Sequence, residues 1–217
     1  MRFPAMVALI LMALLPPGLS AGEAGEYRVA ITPLVGYRMG GSFDAEEGNE
    51  EVSLDDDAVV GLIVNLPAER VRGDDYTEWE LYVSRQSVGL DDAPAGVDPG
   101  LDIDISHVLL GGTYVGAGQG ASYRPFLAAG IGAAHLSPDD SGYSSDTVFA
   151  FGVGGGAQLF PADRIGVRLE ARVLGSVIDS DTSIFCRSDS EGAACAFRAS
   201  GDILWQWEVF AGLTARF

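Results

Sequence analysis

The chain has only two histidines, and one of them, His135, opens the run His135-Leu136-Ser137-Pro138-Asp139-Asp140. On an extended strand, residues two apart share a face, so the imidazole of His135 and the hydroxyl of Ser137 lie side by side with Asp139 next in step. A carboxylate that orients an imidazole, and an imidazole that takes a hydroxyl proton, are the working parts of nucleophilic acyl chemistry. The same residues also read as a strand end followed by a Ser-Pro-Asp turn, which needs no chemistry. The glycines from Gly152 to Gly156 are followed by no lysine or helix and so make no phosphate loop. No cofactor is expected. His107 has neither Cys nor a second His at ligand spacing, so no metal site is expected either.

A second constellation is ionic. Arg28, Arg38, Glu78, Glu80, Arg168, Glu170, Arg172, Glu208 and Arg216 each alternate along the chain with apolar residues. If those stretches are strands closed into a ring, all nine side chains project to one side. In a narrow barrel they must pair, because an unpaired buried ion costs several kcal/mol, whereas an imperfect plug would leave a narrow pore. Counting along the last two strands places Arg172 and Glu208 at similar depth and predicts an ion pair between them.

Eight stretches show the period-2 pattern of strands. They run from about Tyr27 to Met39, Ala58 to Leu66, Tyr76 to Val88, Leu101 to Val115, Ser122 to Leu136, Thr147 to Phe160, Ile165 to Val173 and Trp205 to Phe217. Pro33 argues for a bulge in the first, and Pro67 is expected to end the second before a turn from Ala68 to Asp75. Long connections at 41 to 53, 89 to 100, 137 to 146 and 179 to 202 interleave with short ones at 67 to 75, 116 to 121 and 161 to 163. An apolar face toward lipid and a polar face inward is the rule for membrane barrels. A soluble eight-stranded barrel of the lipocalin kind would use the same alternation with the faces exchanged.

The last thirteen residues bear on that choice. Trp205, Trp207, Val209, Ala211, Leu213, Ala215 and Phe217 form an unbroken apolar face, opposite Gln206, Glu208, Gly212, Thr214 and Arg216. The strand ends on an aromatic residue, with two Trp about one leaflet away. Together with the Gly-rich segment Arg124–Ala134, it resembles the OmpA/OmpX-like family of small outer-membrane β-barrels, and the resemblance covers residues 27 to 217. It implies an all-β fold, an eight-stranded antiparallel up-and-down transmembrane barrel. It also implies that Trp207, Val209, Ala211, Leu213, Ala215 and Phe217 are the signal read by the barrel-assembly machinery, and that both termini are periplasmic with the long loops outside. In that setting His107 is a structural residue near the membrane interface. The His135-x-Ser137 step resembles the outer-membrane lipid A deacylase family, itself an eight-stranded barrel, with Pro138 where that family has Asn. This second resemblance implies a lipid hydrolase using His135 and Ser137.

The N-terminus carries Arg2, an apolar run from Ala5 to Leu15, and small residues around Ser20 to Ala24, the order of a cleaved secretory signal. Residues 1–21 are therefore expected to be the signal peptide and 22–217 the barrel. The formal charge is −18 and the thirteen basic residues are all Arg, which excludes nucleic acid as a partner. The expected partners are outer-membrane lipid and lipopolysaccharide, met by a monomer. The acidic loops are either solvated surface or bridged through divalent cations to lipopolysaccharide phosphates. Cys186 and Cys195, the only cysteines, lie in the last long loop and are expected to form a disulfide in an oxidising compartment. The role expected is structural or surface-interactive, with the lipid hydrolase and the pore as rivals.

Overall fold

The computed structural model describes residues 27–44, 51–54, 56–91, 102–116, 123–138, 145–159, 164–178, 183–189, 192–198 and 203–217. The expected signal peptide lies outside them. Among the described residues there are twelve strands: β1 (Ala30–Met39), β2 (Ser42–Asp44), β3 (Glu51–Leu54), β4 (Asp57–Arg72), β5 (Asp75–Asp91), β6 (Asp102–Val115), β7 (Tyr123–Pro138), β8 (Asp146–Leu159), β9 (Ile165–Val177), β10 (Ser183–Asp189), β11 (Gly192–Arg198) and β12 (Ile203–Arg216).

Eight of them close a ring. Each of β4 to β9 pairs antiparallel with its neighbour in sequence, β12 pairs with β9, and β1 lies between β12 and β4. Alternating apolar residues drive this closure, since every strand then covers its backbone polar groups with two partners and no edge is left. At the seam Arg28 N donates to Phe217 O at 2.6 Å and Phe217 N donates to Val29 O at 2.9 Å, so the residues before β1 and the end of β12 clamp each other. We call this the terminal end of the barrel and the other the distal end.

The strands run further than expected. β4 continues through Pro67 to Arg72, with its register shifting between Pro67 and Arg70, and turns at Gly73, whose φ of 60° suits glycine. Proline stops a strand only where its missing N–H is needed, and here the irregular pairing absorbs it. At the distal end, Gly40 and Gly41 (φ 79° and 114°) separate β1 from β2, and the β2–β3 hairpin continues beyond β1 and β4 to join β5. Part of the segment expected to be the first loop is thus strand, and so is part of the last, where β10 and β11 form their own two-stranded sheet.

The outer face changes character along the barrel. A cross-strand row Val83, Val108, Ala133, Phe149 and Val177 is entirely apolar. The next outward row toward the distal end is Arg85, Ser106, His135 and Thr147, entirely polar. Below this frontier the outside is aliphatic and aromatic, with Phe149, Trp205, Trp207 and Tyr37 exposed near it and Trp79, Tyr114, Tyr123 and Phe217 exposed toward the terminal end. Two aromatic girdles bounding an apolar band are what a bilayer demands of a barrel wall.

Candidate functional site

Six buried Arg and Glu side chains meet in the middle of the barrel in two groups. Arg168, Glu170 and Arg172 follow one another on the inner face of β9, and Glu80 reaches them from β5 across the interior. Arg168 Nη2 lies 2.7 Å from Glu80 Oε2 and 2.7 Å from Glu170 Oε2. Arg172 Nη2 lies 2.6 Å from Glu80 Oε1 and 2.7 Å from Glu170 Oε1. Each cation therefore meets both anions in a four-membered ring of charge. Thr113 Oγ1 donates to Glu80 Oε2 at 2.7 Å, and Arg168 Nη1 donates to Asn65 Oδ1 at 3.2 Å. The flat faces of the guanidiniums rest on aromatic rings, Arg168 on Phe126 and Arg172 on Tyr82, each 4.2 Å from the ring centre. Room for this comes from the adjacent strand β8, where Gly154 pairs with Arg172 and a Cβ on it would stand 2.7 Å from Glu170 Oε1.

The second group joins β1 to β12. Arg38 donates through Nε at 3.0 Å and Nη2 at 2.9 Å to Glu208 Oε2, and Tyr82 OH donates to Glu208 Oε1 at 2.6 Å. Arg38 Nη2 also donates to Ser84 Oγ at 2.5 Å. The expected Arg172–Glu208 ion pair is not formed, although the register sets the two residues directly opposite. Arg172 instead spans the interior to Glu80, because a side chain of that length reaches the far wall of so narrow a barrel, and Glu208 is taken by Arg38. Strand depth can be counted along a sequence; the cross-lumen partner cannot.

At the terminal mouth Glu78 is 2% exposed and accepts a hydrogen bond from Tyr27 OH, while its Oε2 has no partner among the described residues. Arg216 stacks on Tyr27 at 4.6 Å and donates through Nη2 to Tyr76 OH at 3.1 Å and to Gln158 Oε1 at 3.2 Å. Arg28 is exposed and stands outside this set, contrary to expectation. The alternation begins only at Ala30; the residues before it leave the ladder to clamp Phe217, which carries Tyr27 over the mouth and Arg28 away from it.

Toward the distal end the interior is aliphatic, not charged. Val88, Ile103, Ile105, Leu109, Leu136, Val148, Leu174, Ile178 and Leu204 belong to one buried cluster that also touches Tyr82. Where the outside turns polar, the inside turns apolar, so the rule of apolar outside and polar inside reverses beyond the Arg85–Thr147 row. A wall that leaves the bilayer meets water outside and must bury its apolar face inward, as a soluble barrel does. At the boundary between these layers His107 is fully buried inside the barrel, with Nε2 3.2 Å from Ser176 Oγ, and not at the membrane interface.

His135 and Ser137 are neighbours on the outer face of β7, as their spacing requires. His135 is exposed, and its Nδ1 lies 2.8 Å from Thr147 Oγ1. Ser137 sits opposite Asp104 in the ladder. Asp139, the carboxylate that would orient the imidazole, lies outside the described residues. A hydroxyl partner orients an imidazole but cannot stabilise its protonated form as a carboxylate does. The backbone register sets Cys186 opposite Cys195 across the β10–β11 hairpin, a spacing that a cross-strand disulfide requires; their side chains lie outside the description. The residues of the expected assembly signal line the outer face of β12, with Trp207, Val209, Leu213 and Phe217 exposed.

The ring of eight meandering strands has counterparts among solved structures. Neisserial surface protein A superposes with a TM-score of 0.55 at 12% identity, covering 87% of this chain and 97% of that one. The outer membrane protein OprG of Pseudomonas aeruginosa gives 0.49 at 13% identity, over 90% and 99% of the two chains. The N-terminal barrel domain of OprF from the same organism gives 0.42 at 13% identity, over 87% and 99%. The fold is that of a small eight-stranded outer-membrane β-barrel. No family model matches the sequence. No curated protein matches it either.

Proposed function

We propose that this chain is an integral outer-membrane protein whose barrel is closed to solute flow and whose role is structural or interactive at the cell surface, through the segments at its distal end. The reading rests on one observation above the others. Among the described residues, the side chains that face inward are paired Arg and Glu in the middle and an aliphatic cluster beyond them, and the largest of both layers are fully buried. An ion crossing such a section would have to break the charge ring and then part an apolar plug, each of which costs several kcal/mol. We infer that the termini are periplasmic, because Asp56, Asp57, Asp102, Asp104 and Asp146 at the distal rim then lie outside, where divalent cations of the lipopolysaccharide layer can neutralise them. Cys186 and Cys195 staple the β10–β11 hairpin on that surface. Reconstituted into planar bilayers, the protein should show no unitary conductance steps in salt at moderate voltage. Reproducible steps from the pure, folded protein would replace this reading with that of a pore. Catalysis at His135 and Ser137 has less support, since the described partner of the imidazole is the Thr147 hydroxyl.

A further inference from the structure

Four buried polar atoms inside the barrel have no protein partner among the described residues: Arg38 Nη1 on β1, Gln86 Oε1 on β5, His107 Nδ1 on β6 and Gln206 Oε1 on β12. Their side chains are at most 2% exposed. A polar atom taken out of water without a partner forfeits its whole hydration, so several such atoms in one place call for an explanation. These four are in one place. Arg38 Nη2 donates to Ser84 Oγ, and the register sets Ser84 directly opposite His107. His107 Nε2 lies 3.2 Å from Ser176 Oγ, and Ser176 is paired with Leu204, one inward step along β12 from Gln206. The next inward step from Gln206 is Glu208, which Arg38 holds. The circuit closes through β1, β5, β6, β9 and β12, where the charge-paired layer meets the aliphatic one.

The chemistry of the four atoms narrows the guest. Arg38 Nη1 can only donate, the two amide oxygens can only accept, and His107 Nδ1 does either according to its tautomer. Turning the Gln86 amide over is closed off, because its Nε2 already donates to the carbonyls of Arg38 and Asp57 at 3.3 and 3.4 Å. An anion here would meet amide oxygens, and a cation would meet the Arg38 guanidinium. A small neutral molecule that both donates and accepts suits the whole set, and water is that molecule. The inward side chains on the β7 and β8 side are short, with Ala134 paired to His107 and Ala150 paired to Ser176, as a small guest requires.

We propose that Arg38, Gln86, His107 and Gln206 form an internal binding site for ordered water, which hydrates the joint between the two layers and links the Arg38–Glu208 pair to His107. The site does not rest on the closed-barrel reading: bilayer conductance reports a path through the whole interior, whereas the test below reports water at His107 alone, so either can fail without the other. The full chain carrying His135→Gln, in which His107 is the only imidazole, is isotope-labelled at histidine and reconstituted in bilayers. Magnetisation transferred from water to the ring is followed by solid-state NMR. The transfer should reach the buried His107 ring. Adding Gln206→Leu or Gln86→Leu takes a partner from the water, so each should lose most of the transfer and lower the urea midpoint. A His107 ring that receives no magnetisation from water would overturn the proposal. So would a urea midpoint that rises in both leucine variants, because replacing a dry, unpartnered carbonyl by an alkyl group is stabilising. If a leucine variant fails to fold, Gln206→Met, which keeps the length of the side chain, carries the same test.

Discussion

Along β5, Trp79, Leu81 and Val83 face out while Glu78, Glu80 and Tyr82 face in; a few residues further, Arg85 and Ser87 face out and Val88 faces in. The same strand, with no bulge in its pairing to β6, serves two solvents. In the lower region lipid outside leaves the interior to polar groups, which must satisfy one another. In the upper region water outside reverses the demand, and the interior becomes mainly aliphatic, with Gln86 and Gln206 buried among the apolar side chains. The difference teaches that which face of a strand is apolar depends on which solvent surrounds that length of it, and that a barrel taller than the bilayer holds two kinds of plug.

Breaking the lower plug should have the largest effect. Arg172→Met removes the cation shared by Glu80 and Glu170 and should destabilise the barrel by about 3–5 kcal/mol. Adding Glu170→Gln should recover part of the loss, whereas adding Glu208→Gln should recover none, because Glu208 belongs to Arg38. Urea titration of heat-modifiable gel mobility in lipid measures both, and rescue by Glu208→Gln would contradict the partner assignment. In the upper plug, Leu136→Ala leaves a cavity in the aliphatic cluster and should cost about 2–4 kcal/mol by the same assay. A loss of only a few tenths would mean that this layer is not packed. Arg85→Ala breaks an ion pair of the outer face, 2.5 Å from Asp104 but largely in water, and should change stability by roughly 0–1 kcal/mol. A loss several times larger would mean that this row is buried in the membrane.

The sequence was most legible where one solvent acts. The outer faces of β7, β8, β9 and β12 follow from their alternation, and the ring of eight from the number of such runs. The upper plug was legible too, but by a signal easy to pass over. On β6 the apolar set moves from even positions (Val108, Leu110) to odd ones (Ile105, Ile103), and on β8 from odd (Phe151, Phe149) to even (Val148). A change of parity without a bulge means that the solvent, not the strand, has changed sides. The partners inside the lumen were not legible. Glu80 and Arg172 meet across 92 residues of chain and the width of the barrel, on non-adjacent strands, which no local spacing encodes. Arg28 was misplaced because parity was carried past Ala30, where pairing to β12 gives way to the terminal clamp.

The reversal itself can be measured strand by strand. In a background with Cys186→Ser and Cys195→Ser, single cysteines at 79, 81, 83, 85 and 87 on the outer face of β5 would carry a nitroxide, and its collisions with oxygen and with a water-soluble nickel chelate would be compared in lipid bilayers. The account predicts oxygen-dominated contact at 79, 81 and 83 and chelate-dominated contact at 85 and 87, with the crossover between Val83 and Arg85. Lipid-like accessibility continuing through 85 and 87 would contradict it, because the apolar interior beside them would then have no water outside to explain it.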